Sequence, residues 1–90
     1  AAIHQLTVHM AKRLGKEHIL VNAIAPGPFP SRMMDKLIEA EGEGLVAETA
    51  TGRLGIAEDM AGLSIYLASR ASSNITGAII PVDGGYVTTR

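Results

Sequence analysis

The run Ile19-Leu20-Val21-Asn22-Ala23-Ile24-Ala25 is almost unbroken apolar sequence, and it stops against Pro26-Gly27-Pro28-Phe29-Pro30-Ser31, a stretch with three prolines and one glycine. A strand apolar on both alternate positions has no solvated side, so it belongs in a parallel sheet covered by helices on both faces. Pro26 lacks an N–H for a ladder and biases Ala25 away from helix, which makes the chain leave the sheet at the strand's carboxyl end. Ligands of open parallel sheets bind at that end. The proline loop is therefore where function is expected.

The rest of the chain supplies helices for such a sheet. Ile3, Leu6, Met10 and Leu14 recur at three- and four-residue steps, with Thr7 and Ala11 on the same side, which predicts an amphipathic helix over 1–15. Lys12, Arg13 and Lys16 suit its C-terminal dipole, and Gly15 is the expected left-handed cap. The pattern begins at Ala1 with no capping residue before it, so a helix already under way is expected. Ser31 is the expected N-cap of a short helix bearing Met33, Met34, Leu37 and Ile38, which fades into a pliable hinge at Glu41-Gly42-Glu43-Gly44. A further helical turn over 45–50, a turn-rich crossing at 51–55 and a helix over 57–69 follow, the last with Glu58 and Asp59 in its first turn. Ala78-Ile79-Ile80-Pro81-Val82 is the second strand, with Pro81 limiting it to pairing on one side, and Asp83-Gly84-Gly85 closes it as a turn. Asn22, amid apolar neighbours, is expected to bond to backbone inside the fold. Strand, helical crossover, strand makes a right-handed parallel α/β unit.

Composition narrows the classes of function. The 90 residues are 47% hydrophobic with no tryptophan, one phenylalanine and ten glycines, which resembles the inside of something larger. Eight basic against nine acidic residues give a net charge of -1, so no basic footprint for nucleic acid or an anionic membrane exists. The absence of cysteine excludes disulfides and thiolate metal sites and is compatible with the cytoplasm. No apolar run reaches the roughly 18–20 residues of a membrane span. His4 and His9 are five apart on different helix faces, and His18 falls in a turn, so no metal site is expected.

Four segments in order, Val21-Asn22-Ala23-Ile24-Ala25-Pro26-Gly27, Gly52-Arg53-Leu54-Gly55 leading to Leu67-Ala68-Ser69, Ile75-Thr76-Gly77 and Val82-Asp83-Gly84-Gly85, resemble the C-terminal part of the classical short-chain dehydrogenase/reductase family. They cover essentially the whole chain. Phe29-Pro30-Ser31-Arg32-Met33 is most similar to the 3-oxoacyl reductase branch, including the rhamnolipid-type β-ketoacyl reductases. The resemblance implies one partial domain over 1–90, the C-terminal portion of a Rossmann-like three-layer parallel sheet, with 30–50 as a substrate lid. It implies hydride transfer between NADP or NAD and a carbonyl or alcohol carbon, a 3-oxoacyl thioester being the expected substrate. The family's catalytic Tyr-x-x-x-Lys would lie just upstream of Ala1 and its glycine-rich phosphate loop much further upstream, and its serine is not in this chain, so no catalytic residue is expected among these 90 and the chain alone is expected to be inactive.

The resemblance also assigns the remaining site. Pro26, Gly27, Phe29 and Ser31 would bind cofactor, the Phe29 backbone pairing with the nicotinamide carboxamide and Ser31 adding a hydroxyl. Gly27 would let a flat ring approach the backbone, and the prolines would freeze the loop before binding. Met33, Met34, Leu37 and Ile38 would line the lid over an acyl substrate, methionine adapting to irregular apolar shapes. The expected partners are a small carbonyl or acyl substrate and further copies of the chain, a tetramer in the parent family, with no nucleic acid and no membrane. A non-enzymatic oligomerising α/β module is the competing expectation, because two strands and their helices leave apolar surface over.

Overall fold

The computed structural model describes residues 1–89. The elements follow the order α1 (Ala2–Leu14), β1 (Ala23–Pro26), α2 (Asp35–Ala47), α3 (Ala57–Ala68) and β2 (Ile79–Val82), with single 3-10 turns at Gly15–Glu17 and Arg70–Ser72. The two strands form one sheet. Donor and acceptor advance together, Ala23 N–H to the Ala78 carbonyl at 2.9 Å and Gly27 N–H to the Val82 carbonyl at 3.0 Å, which is the signature of a parallel pair. The chain divides into two compact units, Ala1–Ile24 with Ala61–Ile80, and Ala25–Met60 with Pro81–Arg90.

In the first unit the buried side of α1 is made by Thr7 and Ala11, one helical turn apart. The Thr7 hydroxyl donates to the Ile3 carbonyl at 2.7 Å, so its polar atom is satisfied within the helix. The Ala11 methyl faces the Gly77 turn at ordinary contact distance, a Cβ on Gly77 standing 3.5 Å from it, and it is the positive φ of 76° that favours glycine there. The larger members of the expected stripe behave differently. Ile3 and Leu6 are 70% and 55% exposed, so these bulky members of the stripe lie outside the buried side that Thr7 and Ala11 make.

The helix end also departs from expectation. Gly15 keeps right-handed helical geometry (φ −57°), the chain adds one 3-10 turn, and His18 takes the left-handed position at φ 62°. Its N–H closes the turn on the Gly15 carbonyl at 3.1 Å. A non-glycine residue there carries a steric cost of roughly 1 kcal/mol or more.

The apolar run becomes strand later than its sequence suggests, at Ala23 rather than Ile19, and before that point side chains share in the pairing. Val21 N–H donates to the Thr76 hydroxyl at 3.0 Å and Gly77 N–H to the Val21 carbonyl at 2.8 Å. Asn22 completes the stitch, Nδ2 donating to the Ile75 carbonyl and Oδ1 accepting from Ala78 N–H, both at 3.0 Å. Full enclosure is not reached either. Ile19 and Leu20 are 45% and 41% exposed and β1 is half-buried, since a two-stranded sheet gives each strand one neighbour. Ser72, 1% exposed, ends this unit's part of α3 by donating from its hydroxyl to the Leu67 carbonyl at 2.9 Å.

The second unit carries α2 and the loops around it. Ser31 does not cap α2: its carbonyl accepts from Met34 N–H at 3.0 Å in a turn, Met34 occupies the cap position, and the helix begins at Asp35. The Glu41–Gly44 stretch does not end the helix. The chain stays helical to Ala47 and departs from helical geometry only at Glu41 (φ −135°, ψ 16°), where it kinks. Thr49, buried, holds the helix end: its hydroxyl donates to the Val46 carbonyl at 2.7 Å and accepts from Gly52 N–H at 3.0 Å.

Candidate functional site

The corner beyond β1 is pinned just ahead of Phe29. Gly27 N–H is committed to the Val82 carbonyl at 3.0 Å, and the Pro28 carbonyl accepts from Gly55 N–H at 3.1 Å. Among the described residues, the Phe29 N–H and carbonyl make no hydrogen bond. The Phe29 ring lies where a side chain on Gly55 would have to go, so Gly55 is glycine because the aromatic ring rests on its backbone. Gly27 is glycine for a related reason, since a Cβ there would collide with Asp83, whose backbone Cα would stand 2.8 Å away.

Phe29 also forms one wall of a cavity of about 240 Å³, whose lining includes Thr51, Arg53, Leu54, Gly55, Asp59 and the segment from Pro81 to Gly85. The structure thus brings Phe29, one of the four expected cofactor residues, to this cavity. Pro26, Gly27 and Ser31 do not line it. Pro26 and Ser31 are exposed and Gly27 half-buried. Of the expected lid, Met33 is 95% exposed, Leu37 is 40% exposed, and Met34 and Ile38 are half-buried.

The floor of the cavity is the turn after β2. Asp83 accepts from Gly85 N–H at 2.9 Å with Oδ1 and from Val87 N–H at 3.1 Å with Oδ2, so its carboxylate organises the turn, as the sequence predicts. Gly84 and Gly85 take positive φ of 63° and 87°. The Gly84 carbonyl then accepts from Ala50 and Thr51 N–H at 2.8 and 3.1 Å, which ties the loop after α2 to this turn.

Arg53 and Asp59 form a second feature of the cavity wall. The guanidinium makes a two-point pair with the carboxylate at 2.9 and 3.1 Å, and Asp59 Oδ2 also accepts from Ile56 N–H at 2.8 Å. Asp59 stands three residues beyond Ile56, the residue before the first turn of α3, so its carboxylate reaches back to a donor that the helix leaves unpaired. The Arg53 hydrogen bonds, followed by the one from Ile56, lower the Asp59 carboxyl from 3.8 to about 2, and the same contact raises the guanidinium. The pairing was visible only as spacing, Arg53 six residues ahead of an acidic helix start. No cluster of three or more potential metal ligands occurs among the described residues, and no helix there is long and apolar enough to cross a membrane.

The family model described as enoyl-(acyl carrier protein) reductase matches residues 1–87. The rhamnolipids biosynthesis 3-oxoacyl-(acyl-carrier-protein) reductase of Pseudomonas aeruginosa is 49% identical over 89 residues, covering 96% of this chain and 34% of its own length. The cyclohexanol dehydrogenase of Rhodococcus sp. is 40% identical over 86 residues, covering 94% of this chain and 32% of its own. Among solved structures, the Pseudomonas aeruginosa RhlG/NADP active-site complex superposes with a TM-score of 0.84 at 47% identity, over 94% of this chain and 35% of that one. A short-chain type dehydrogenase/reductase from Mycobacterium marinum gives 0.87 at 37% identity, over 97% and 34%. The chain spans about a third of the length of the curated relatives it matches. A parallel strand pair flanked by helices, shared at this likeness with Rossmann-like oxidoreductases, places the chain in the short-chain dehydrogenase/reductase family.

Proposed function

We propose that residues 1–90 are part of one Rossmann-like domain of an NAD(P)-dependent oxidoreductase, contributing the corner that holds the nicotinamide and the lid over the substrate. The observation that carries this reading is the Phe29 main chain: a donor and an acceptor without hydrogen-bond partners among the described residues, fixed by the Gly27 and Gly55 hydrogen bonds, beside a cavity. A nicotinamide carboxamide offers the complementary acceptor and donor, and a loop stiffened by Pro26, Pro28 and Pro30 loses little freedom on meeting it. The residues present therefore fit the nicotinamide nucleotide. Phe29 would hold the carboxamide, with Pro26 and Gly27 shaping the corner and Ser31 offering a hydroxyl. When bound, the nucleotide supplies hydride exchange with a carbonyl or alcohol carbon, and NADP is favoured over NAD by the relative solved with it.

The substrate we propose is a 3-oxoacyl thioester, on the strength of the two 3-oxoacyl reductases of Pseudomonas aeruginosa at 49% and 40% identity. Met33, Met34, Leu37 and Ile38, on and just before the first half of α2, would cover its acyl chain from segment 30–50. The protein would work in the cytoplasm as a homo-oligomer, for which the exposed Ile3, Leu6 and Ile65 side chains are the support. The same surface favours a second reading, a non-enzymatic oligomerising module. Consumption of NADPH by the intact protein with a 3-oxoacyl thioester, followed by absorbance alongside sedimentation, separates the two. Turnover is expected of the reductase; an oligomer with no affinity for the nucleotide would replace this reading with the second.

A further inference from the structure

The segment 53–59 closes on itself around one glycine. The Arg53 guanidinium donates from Nη1 to the Leu54 carbonyl at 3.0 Å and to Asp59 Oδ2 at 2.9 Å, and from Nη2 to Asp59 Oδ1 at 3.1 Å. At the other end Asp59 is tied to Ile56 twice, Oδ2 accepting from the Ile56 N–H at 2.8 Å and the Asp59 N–H donating to the Ile56 carbonyl at 3.0 Å. Leu54 and Ile56 are thus both held from within the segment. Gly55, between them, donates its N–H outside it, to the Pro28 carbonyl at 3.1 Å, and a side chain on Gly55 would run into the Phe29 ring.

An ion pair whose side chains are 55% and 26% exposed adds little stability through charge alone. What its two-point geometry adds is orientation, since a fork of parallel bonds fixes the planes of both groups. The residue so oriented is the one that meets both the Pro28 carbonyl and the Phe29 ring, and the Pro28 carbonyl belongs to the same peptide unit as the Phe29 N–H. We propose that Arg53 and Asp59 are positioning residues: they bracket Leu54 to Ile56, hold Gly55 against the Pro28 carbonyl and the Phe29 ring, and thereby set the Phe29 main chain in place. The bracket stands on these contacts alone, whereas its service to a nicotinamide carboxamide rests on the oxidoreductase reading.

Two measurements on the intact protein test this, the first without nucleotide. Arg53→Met keeps an apolar stem and removes the fork, so the Gly55 amide is expected to exchange its hydrogen about fivefold faster, while the Gly27 amide, bonded to Val82, keeps its rate. An unchanged Gly55 rate would overturn the bracket. Should Arg53→Met also speed Gly27, Asp59→Asn, which keeps an oxygen for the Ile56 N–H, decides in the same way. The second measurement is equilibrium titration with NADPH. A Kd about fivefold weaker is expected in both Arg53→Met and Asp59→Asn, and a further weakening below about twofold when Arg53→Met is added to Phe29→Pro, which has no N–H left to position. Affinity lost in Arg53→Met but kept in Asp59→Asn would mean that the guanidinium touches the nucleotide itself and would overturn the positioning role, as would an undiminished effect in the Phe29→Pro background. If the unaltered protein binds no NADPH, the oxidoreductase reading falls and the Gly55 exchange rate decides the bracket by itself.

Discussion

Asn22 shows how one polar residue can set the register of a strand pair. Its amide spans the Ile75 carbonyl and the Ala78 N–H, a donor and an acceptor three residues apart on the segment entering β2. Replacing it with alanine leaves both backbone groups without their partner, a loss of about 1–3 kcal/mol of stability. Urea unfolding of the Asn22→Ala variant measures this; a change under about 0.5 kcal/mol, the usual size for an unremarkable surface position, would show that the clamp is dispensable. That role was legible in the sequence, because a lone amide in an apolar run needs backbone partners wherever it is placed. Asp83 was legible for the same reason, a short carboxylate ahead of two glycines. His18 was not: a glycine three residues earlier offers the cheaper left-handed cap, and only the extra 3-10 turn moves that geometry onto histidine.

At the scale of elements, the order of helices and strands followed from periodicity, while their ends depended on hydrogen bonds that periodicity does not contain. The N-terminus of α3 is the clearest case. Its acidic first turn was readable, but which carboxylate reaches back to Ile56, and that Arg53 holds it there, is decided by loop geometry. Ser31 has the right chemistry for an N-cap and stands one turn too early, since its carbonyl is taken by Met34. The Arg53–Asp59 contact makes stability depend on pH with a definite sign. Because the folded carboxyl is lowered from 3.8 to about 2, its contribution is complete above pH 4 and disappears as pH falls through 2. Acid titration of thermal stability is expected to show a loss between pH 4 and 2 that is absent in Asp59→Asn; equal slopes for the two proteins would contradict this origin. Both groups face solvent, so added salt is expected to shrink the difference.

For the whole molecule, the fold class was legible because an apolar run closed by proline admits few structures other than a parallel strand ending at a ligand-facing corner. Its degree of enclosure was not, since burial depends on what stacks against the strands, and Ile19 and Leu20 remain substantially exposed. The site was legible in part. Of the four residues expected at the cofactor, Phe29 lines the cavity and Pro26, Gly27 and Ser31 do not, whereas Thr51, Arg53, Leu54 and Asp59 join its wall only through the fold of residues far apart in sequence. The account stands on the Phe29 backbone serving a nicotinamide carboxamide. Phe29→Ala loses the ring that rests on Gly55 and keeps the N–H; Phe29→Pro loses both. Equilibrium titration of the intact protein with NADPH, comparing these two variants, isolates the amide. A Kd about tenfold weaker for Phe29→Pro than for Phe29→Ala, roughly the worth of one well-placed hydrogen bond, is the predicted result. Equal affinities would contradict it.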